Sequence, residues 1–208
     1  VNMGGRNLVG AFHAATDVFA DVSTLDSLAQ EELQSGWAEL LKMAMLGDAE
    51  LFEQLEGQAP RAHVEWIARS VELKADIVRR DPFEKGERKL LNLGHTFGHA
   101  VEHATLHDVR HGEAVAIGTA TIARWAMNEG HLAAPVARRM IEALKSAGLP
   151  TSVSPELART AGQYIGADKK SGRDQITLVV PRDLADCTQI ELSLEQAREG
   201  LVRHGGKE

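Results

Sequence analysis

Cys187 is the only cysteine in the chain, so no internal disulfide can form, and a reducing cytoplasm is the compartment this cysteine usage predicts. No apolar run approaches the roughly 18 residues needed to span a bilayer. No basic stretch is followed by an apolar one, so nothing reads as a signal peptide. No block of like charge is present: the net charge is -7, with acidic and basic residues interspersed. That argues against a nucleic-acid or anionic-membrane partner, because both require a basic face. A small anionic substrate stays open, since it needs only a local cluster of Lys and Arg. Nucleotide signatures are missing too: neither G-x-G-x-x-G after a strand nor G-x-x-x-x-G-K-[ST] occurs.

What is present suits an ordinary soluble domain, with 43% hydrophobic and 25% charged residues in 208. That length buries a core without disulfides or a structural metal. The chain opens on Val1-Asn2-Met3-Gly4-Gly5-Arg6-Asn7, which reads like the inside of a glycine-rich loop and suggests a portion of something longer. The short β-forming run Val18 to Val22 predicts one buried strand. Helical spacing then dominates. Gln30 to Leu46 places Leu33, Trp37, Leu40, Leu41 and Ala44 on one face, with Gly47 as a stop. Pro60 can open a long helix that Asp81-Pro82 should end. Thr96 is the expected cap of a helix to about Leu106, and a second, apolar and central helix runs from Gly112 to Met127. Further helices are predicted at Pro135 to Ala147, Pro155 to Ala167 and Ser193 to Val202. The alternating Gln175 to Val180 predicts a strand that Thr188 to Leu192 can pair with. The predicted fold class is mainly α with a small β element.

Five of the nine histidines lie at positions 95, 99, 103, 107 and 111. Imidazole is the commonest metal ligand because it offers a neutral lone pair near pH 7. His95 and His99 share a helix face at a spacing of four, but successive steps of four drift around a helix, so all five cannot serve one site. An exposed histidine stripe is the plain alternative, and His103 and His107 fit it. A catalytic zinc site takes three protein ligands and leaves one position open. Glu39, an acid within an otherwise apolar helix face, is a candidate carboxylate; from the pattern alone, a Glu39–Lys42 pair at helical spacing on a solvated surface is slightly favoured.

Five segments occur in order: Gly5-Arg6-Asn7-Leu8-Val9-Gly10-Ala11-Phe12-His13; Ala38-Glu39-Leu40-Leu41-Lys42; Leu91-Asn92-Leu93-Gly94-His95-Thr96-Phe97-Gly98-His99-Ala100; His111-Gly112-Glu113-Ala114-Val115; and Asp168-Lys169-Lys170. Together they resemble the successive motifs of the 3-dehydroquinate synthases, over nearly the whole chain. That family comprises cytoplasmic, usually dimeric enzymes of the shikimate pathway. They convert 3-deoxy-arabino-heptulosonate 7-phosphate to 3-dehydroquinate and phosphate with NAD and a divalent metal, zinc or cobalt. The resemblance implies that Glu39, His95 and His111 hold the metal and that His99 stands beside the substrate. It implies that Lys42 and Lys74 contact substrate, and that Arg88 and Asn92 clamp its carboxylate. Arg6 and Asn7 match a Lys-Asn pair near the phosphate, with Arg where Lys is usual, and Lys169 is favoured over Lys170 as a further substrate contact. A homodimer is implied for the full-length protein.

Members also carry an α/β dinucleotide-binding domain ahead of this region. Its glycine-rich loop and acidic residue are not in this chain. The expected organisation is therefore a tail of that domain at 1–22 and a helical metal- and substrate-binding domain at 23–208, with no NAD site of its own and no full activity alone. Related sugar-phosphate cyclases use the same metal and cofactor on substrates without a carboxylate, and Arg88 with Asn92 favours the dehydroquinate reaction over theirs. Metal-dependent alcohol dehydrogenases share the two-domain plan, but the Asp168-Lys169-Lys170 motif with Lys42 and Lys74 suits a phosphorylated substrate better. A non-catalytic dimerisation or regulatory module is the remaining class.

Overall fold

Helix α5 (His111–Asn128) is the axle of the fold: small apolar residues from Gly112 to Ala126 bury nearly its whole circumference. A helix apolar all round belongs in a core. In the computed structural model, which describes residues 13, 15–166 and 174–206, α5 packs against α4 (His95–Ala104), α1 (Gln30–Gly47), α6 (Ala134–Ser146) and α8 (Leu194–Gly205). Helices α2 (Ala49–Leu55) and α3 (Val64–Arg80) pack on α1, and α7 (Pro155–Gly162) packs on α4 and α8. Among the described residues an antiparallel hairpin, β1 (Gln175–Asp183) and β2 (Asp186–Ser193), packs against α5, α1 and α8 in the register Ile176↔Leu192 and Leu178↔Ile190. The expected mainly helical fold with a small β element is what forms.

Two close approaches decide where the site can be built. Gly112 lies so near α1 that a Cβ there would drive into the Ser35 carbonyl, and its N–H donates to Ser35 Oγ at 3.0 Å. The start of α5 is thereby pinned one turn from Glu39. Gly94 has φ +76, a left-handed conformation natural to glycine. A Cβ there would press on Thr119 of α5, so the chain enters α4 tight against its neighbour.

Several boundaries depart from expectation. The run Val18 to Val22 is no strand. Phe19 is 95% exposed, and the chain turns into a short 3-10 helix, Val22–Ser27. The Asp21 carboxylate accepts from Ser23 N–H and Ser23 Oγ, and Thr24 Oγ1 donates to Asp21 carbonyl. These local bonds satisfy polar groups that a ladder would otherwise need. Gly94, rather than Thr96, caps α4. Helix α3 begins four residues after Pro60, at Val64, where His63 stacks on Trp66. Helix α7 stops at Gly162 instead of running to Ala167. Helix α2 was not foreseen; Asp48 caps it by accepting from Leu51 N–H. Ser193 caps α8 as predicted, in a reciprocal pair with Gln196.

Candidate metal centre

Three helices deliver one side chain each to a common point. Glu39 comes from the middle of α1, His95 is the first residue of α4, and His111 is the first residue of α5. One ligand atom from each lies within 4.8 Å of the others. Glu39 Oε1 is 3.5 Å from His95 Nε2 and 3.4 Å from His111 Nε2. Each imidazole is anchored by its other nitrogen. His95 Nδ1 meets the Leu93 carbonyl at 3.1 Å, and His111 Nδ1 meets Glu102 Oε1 at 3.1 Å. Donating from Nδ1 leaves Nε2 of each ring facing Glu39, the nitrogen through which a neutral ring would bind a metal. Glu39 is steered in the same way: Lys42 Nζ takes its Oε2 at 2.9 Å and also donates to the Leu91 carbonyl at 2.9 Å.

Local charge follows this arrangement. Burial, with the Lys42 ammonium adding to it, pushes His95 down to about 4, so this ring is neutral near pH 7. Hydrogen bonding to Glu102 and then to Glu39 pushes His111 up to about 9. Burial raises the Glu39 carboxyl, but His111 and Lys42 outweigh it and hold it below the usual carboxylate range. Glu39 Oε1 is a buried oxygen with no hydrogen bond of good geometry. Such an atom is costly unless something cationic satisfies it. Ligands of a tetrahedral ion with bonds of about 2.0–2.1 Å stand about 3.3 Å apart. The two Glu39-to-imidazole distances, 3.5 and 3.4 Å, lie close to that edge length, and one carboxylate with two imidazoles is a zinc-type donor set once an incoming cation displaces the His111 proton. These residues fit a divalent metal.

A sequence profile matches residues 36–171 to a family described as 3-dehydroquinate synthase C-terminal. The chain belongs to that family. It is 41% identical over 194 residues to the 3-dehydroquinate synthase of Corynebacterium diphtheriae, covering 90% of this chain and 54% of that protein. Against the Caulobacter vibrioides enzyme of the same name it is 41% identical over 197 residues, covering 88% and 53%. The chain thus spans about half the length of the curated relatives it matches. Among solved structures, 2-epi-5-epi-valiolone synthase of Streptomyces hygroscopicus subsp. jinggangensis 5008, with NAD+ and Zn2+ bound, matches at TM-score 0.77 and 27% identity over 95% of this chain and 57% of that one. A 2-deoxy-scyllo-inosose synthase complexed with carbaglucose-6-phosphate, NAD+ and Co2+ shares the fold at TM-score 0.82 and 21% identity, over 98% of this chain and 60% of that one.

In this member of the 3-dehydroquinate synthase C-terminal family the trio opens onto a cavity of about 550 Å³, whose wall includes Lys42, Lys74, Arg88 and Asn92. Lys42 lies in the wall but is turned to Glu39 and buried, 5% exposed. Arg88 Nη1 donates to the Pro82 carbonyl at 2.7 Å, and Asn92 Nδ2 donates to Glu84 Oε1 at 3.0 Å. A second cavity of about 420 Å³ adjoins it across Asn92 and His95 and reaches His99. His103 and His107 stand apart, paired with each other and, through His103, with Tyr164. Arg6, Asn7 and Lys169 lie outside the described residues. Sequence reasoning missed Glu102 and Glu84. Glu102 left a signal, an acid three residues after His99 on the same helix face.

Proposed function

We propose that this chain is the metal- and substrate-binding portion of a 3-dehydroquinate synthase. The reaction is conversion of 3-deoxy-arabino-heptulosonate 7-phosphate to 3-dehydroquinate and phosphate, with NAD held by a preceding α/β domain and the assembled enzyme a cytoplasmic homodimer. The observation that carries this reading is the convergence of Glu39, His95 and His111, with one ligand atom of each within 4.8 Å of the others, beside a cavity whose wall includes lysine, arginine and asparagine, in a chain of this family. Residues 1–22 then belong to the end of the NAD-binding domain and 23–208 to the domain described here.

A divalent ion bound by the trio would lower the pKa of a substrate hydroxyl and so favour hydride transfer to NAD. The chain's own residues bind and orient. Arg88 and Asn92 suit the substrate carboxylate, since a guanidinium offers two parallel donors and an amide a third. Glu84 holds the Asn92 amide by accepting one of its protons. Lys74 projects a second cation into the same cavity, suited to the other anionic end. Lys42 keeps Glu39 ionised and turned toward the two imidazoles. His99, beside the trio with its ring 5.3 Å from His95, is placed to exchange a proton with a bound substrate hydroxyl. Arg6, Asn7 and Lys169 are proposed for the phosphate side. Much of the rate is then positioning of a substrate that rearranges through its own functional groups.

The test is phosphate release from 3-deoxy-arabino-heptulosonate 7-phosphate by a protein of the relatives' length carrying this chain, with NAD and zinc, against His95→Ala. Release by the parent, none by the variant and none by the 208-residue chain alone is the expected pattern. No release from this substrate alongside turnover of a heptulose phosphate lacking the carboxylate would make the protein another sugar-phosphate cyclase.

A further inference from the structure

Glu102 is the most buried acid near the site, 3% exposed, and its two oxygens face two different histidines. Oε1 lies 3.1 Å from His111 Nδ1, and Oε2 lies 3.9 Å from His99 Nε2. A carboxylate is not carried into a core at random, because an ion without partners there costs several kcal/mol. The helices explain the arrangement. His95, His99 and Glu102 share α4, whereas His111 opens α5, so Glu102 reaches from one helix to the first residue of the next. Its contact with His111 is made on the ring nitrogen that faces away from Glu39. His95 has an anchor of the same kind in the Leu93 carbonyl. Of the two anchors only that of His111 is a side chain, and only that one also approaches His99.

We propose that Glu102 is a positioning residue for the metal centre: it fixes His111 with Nδ1 protonated and Nε2 directed at the metal, and it sets His99 in register with it. The inference rests on reading Glu39, His95 and His111 as metal ligands. A competing use of the same atoms is a second cation held by His99, Glu102 and His111, whose ligand atoms also lie within 4.8 Å of one another. That use would take His111 through Nδ1 and displace its proton. The 3.1 Å spacing is the length of an N–H···O bond, which favours the hydrogen-bonded form.

The test is cobalt titration of the chain, followed by the visible spectrum of the bound ion, for the parent, Glu102→Gln, Glu102→Asp and His95→Ala. Glutamine keeps the shape and removes the charge, and loss of an outer partner of a metal-bound histidine typically weakens binding by about 10–100-fold. The expected results are one cobalt per parent chain and none on His95→Ala. Glu102→Gln should bind within that weakened range with a shifted spectrum, and Glu102→Asp should recover part of the affinity. Affinity within twofold of the parent and an unchanged spectrum in Glu102→Gln would overturn the role of Glu102 while leaving the metal centre standing. Two cobalt ions per parent chain would overturn it in favour of the second site. No cobalt on the parent would remove the metal centre itself and this inference with it. Should Glu102→Gln not fold, ring-nitrogen NMR of the zinc-loaded parent decides: a proton on His111 Nδ1 supports the proposal and a bare Nδ1 rejects it.

Discussion

Lys42 Nζ reaches Glu39 Oε2 at 2.9 Å from one turn further along α1, and the lysine does so almost wholly removed from solvent. The helical spacing that explains a solvated surface pair here produces one with its lysine buried and its carboxylate half-buried. Its effect is to occupy one oxygen of Glu39 and leave the other to the two imidazoles.

Removing that ammonium should cost stability and then respond to metal. Lys42→Met keeps the length of the side chain but leaves Glu39 beside His95 and His111 without its lysine partner. Breaking a buried pair from one side costs about 3–5 kcal/mol, and the partial exposure of Glu39 places this case near or below the lower end. A bound ion stabilises by mass action, about 2.7 kcal/mol at a hundredfold excess over Kd. Thermal unfolding of Lys42→Met should therefore fall well below the parent in chelator and recover part of the difference in zinc. Equal melting of the two proteins in chelator would show that the pair contributes nothing.

The fold was largely legible because its strongest patterns are long. Helix α5 buries residues all round, and no strand could carry that run; β1 alternates from Gln175 to Leu178 and is followed by a segment that can pair with it in register. Helix α2 escaped notice because seven residues hold barely two turns of periodicity. The Val18–Val22 run misled because short apolar runs do not by themselves distinguish a strand from an exposed turn, and the Asp21, Ser23 and Thr24 bonds decided the matter locally. The site was legible in its parts but not in its assembly. Spacing alone ties His95 to His99, whereas the structure joins His95 to Glu39 and His111 from two other helices. Only the ordered motifs pointed to that set. Glu102 joins the site through tertiary approach of α4 to α5, which no spacing rule contains.

The histidines that share the spacing but not the site should be dispensable. His103 and His107 are exposed, with rings 5.5 Å apart and away from the trio. His107 has φ +67, so asparagine, which tolerates that conformation, is the suitable replacement there. The double variant His103→Ala, His107→Asn should bind one zinc per chain with unchanged affinity and lose no more than about 0.5 kcal/mol, as surface changes usually do. Loss of metal from this variant, read by equilibrium dialysis, would mean that the stripe takes part in binding after all.

Asp81 should govern the loop that presents Arg88, and the dependence should have a definite sign in pH. Its Oδ1 accepts from Lys85 N–H at 3.0 Å, and its Oδ2 accepts from Gly86 N–H at 2.7 Å and Arg88 N–H at 3.0 Å. The bonds to the Lys85 and then the Gly86 amides hold its carboxyl below the ordinary 3.8. A carboxyl whose folded value is depressed contributes fully above its unfolded value and loses that contribution as pH falls through the folded one. Protection of these three amides should therefore persist down to about pH 3.8 and disappear below it. In Asp81→Ala the same amides should exchange severalfold faster already at pH 6, since each loses its acceptor. Amide exchange of the chain, corrected for the intrinsic pH dependence of the rates, reads both effects. If the Arg88 amide stays as protected in Asp81→Ala as in the parent, the loop is held by other means, among them the Arg88 guanidinium on the Pro82 carbonyl and Asn92 on Glu84.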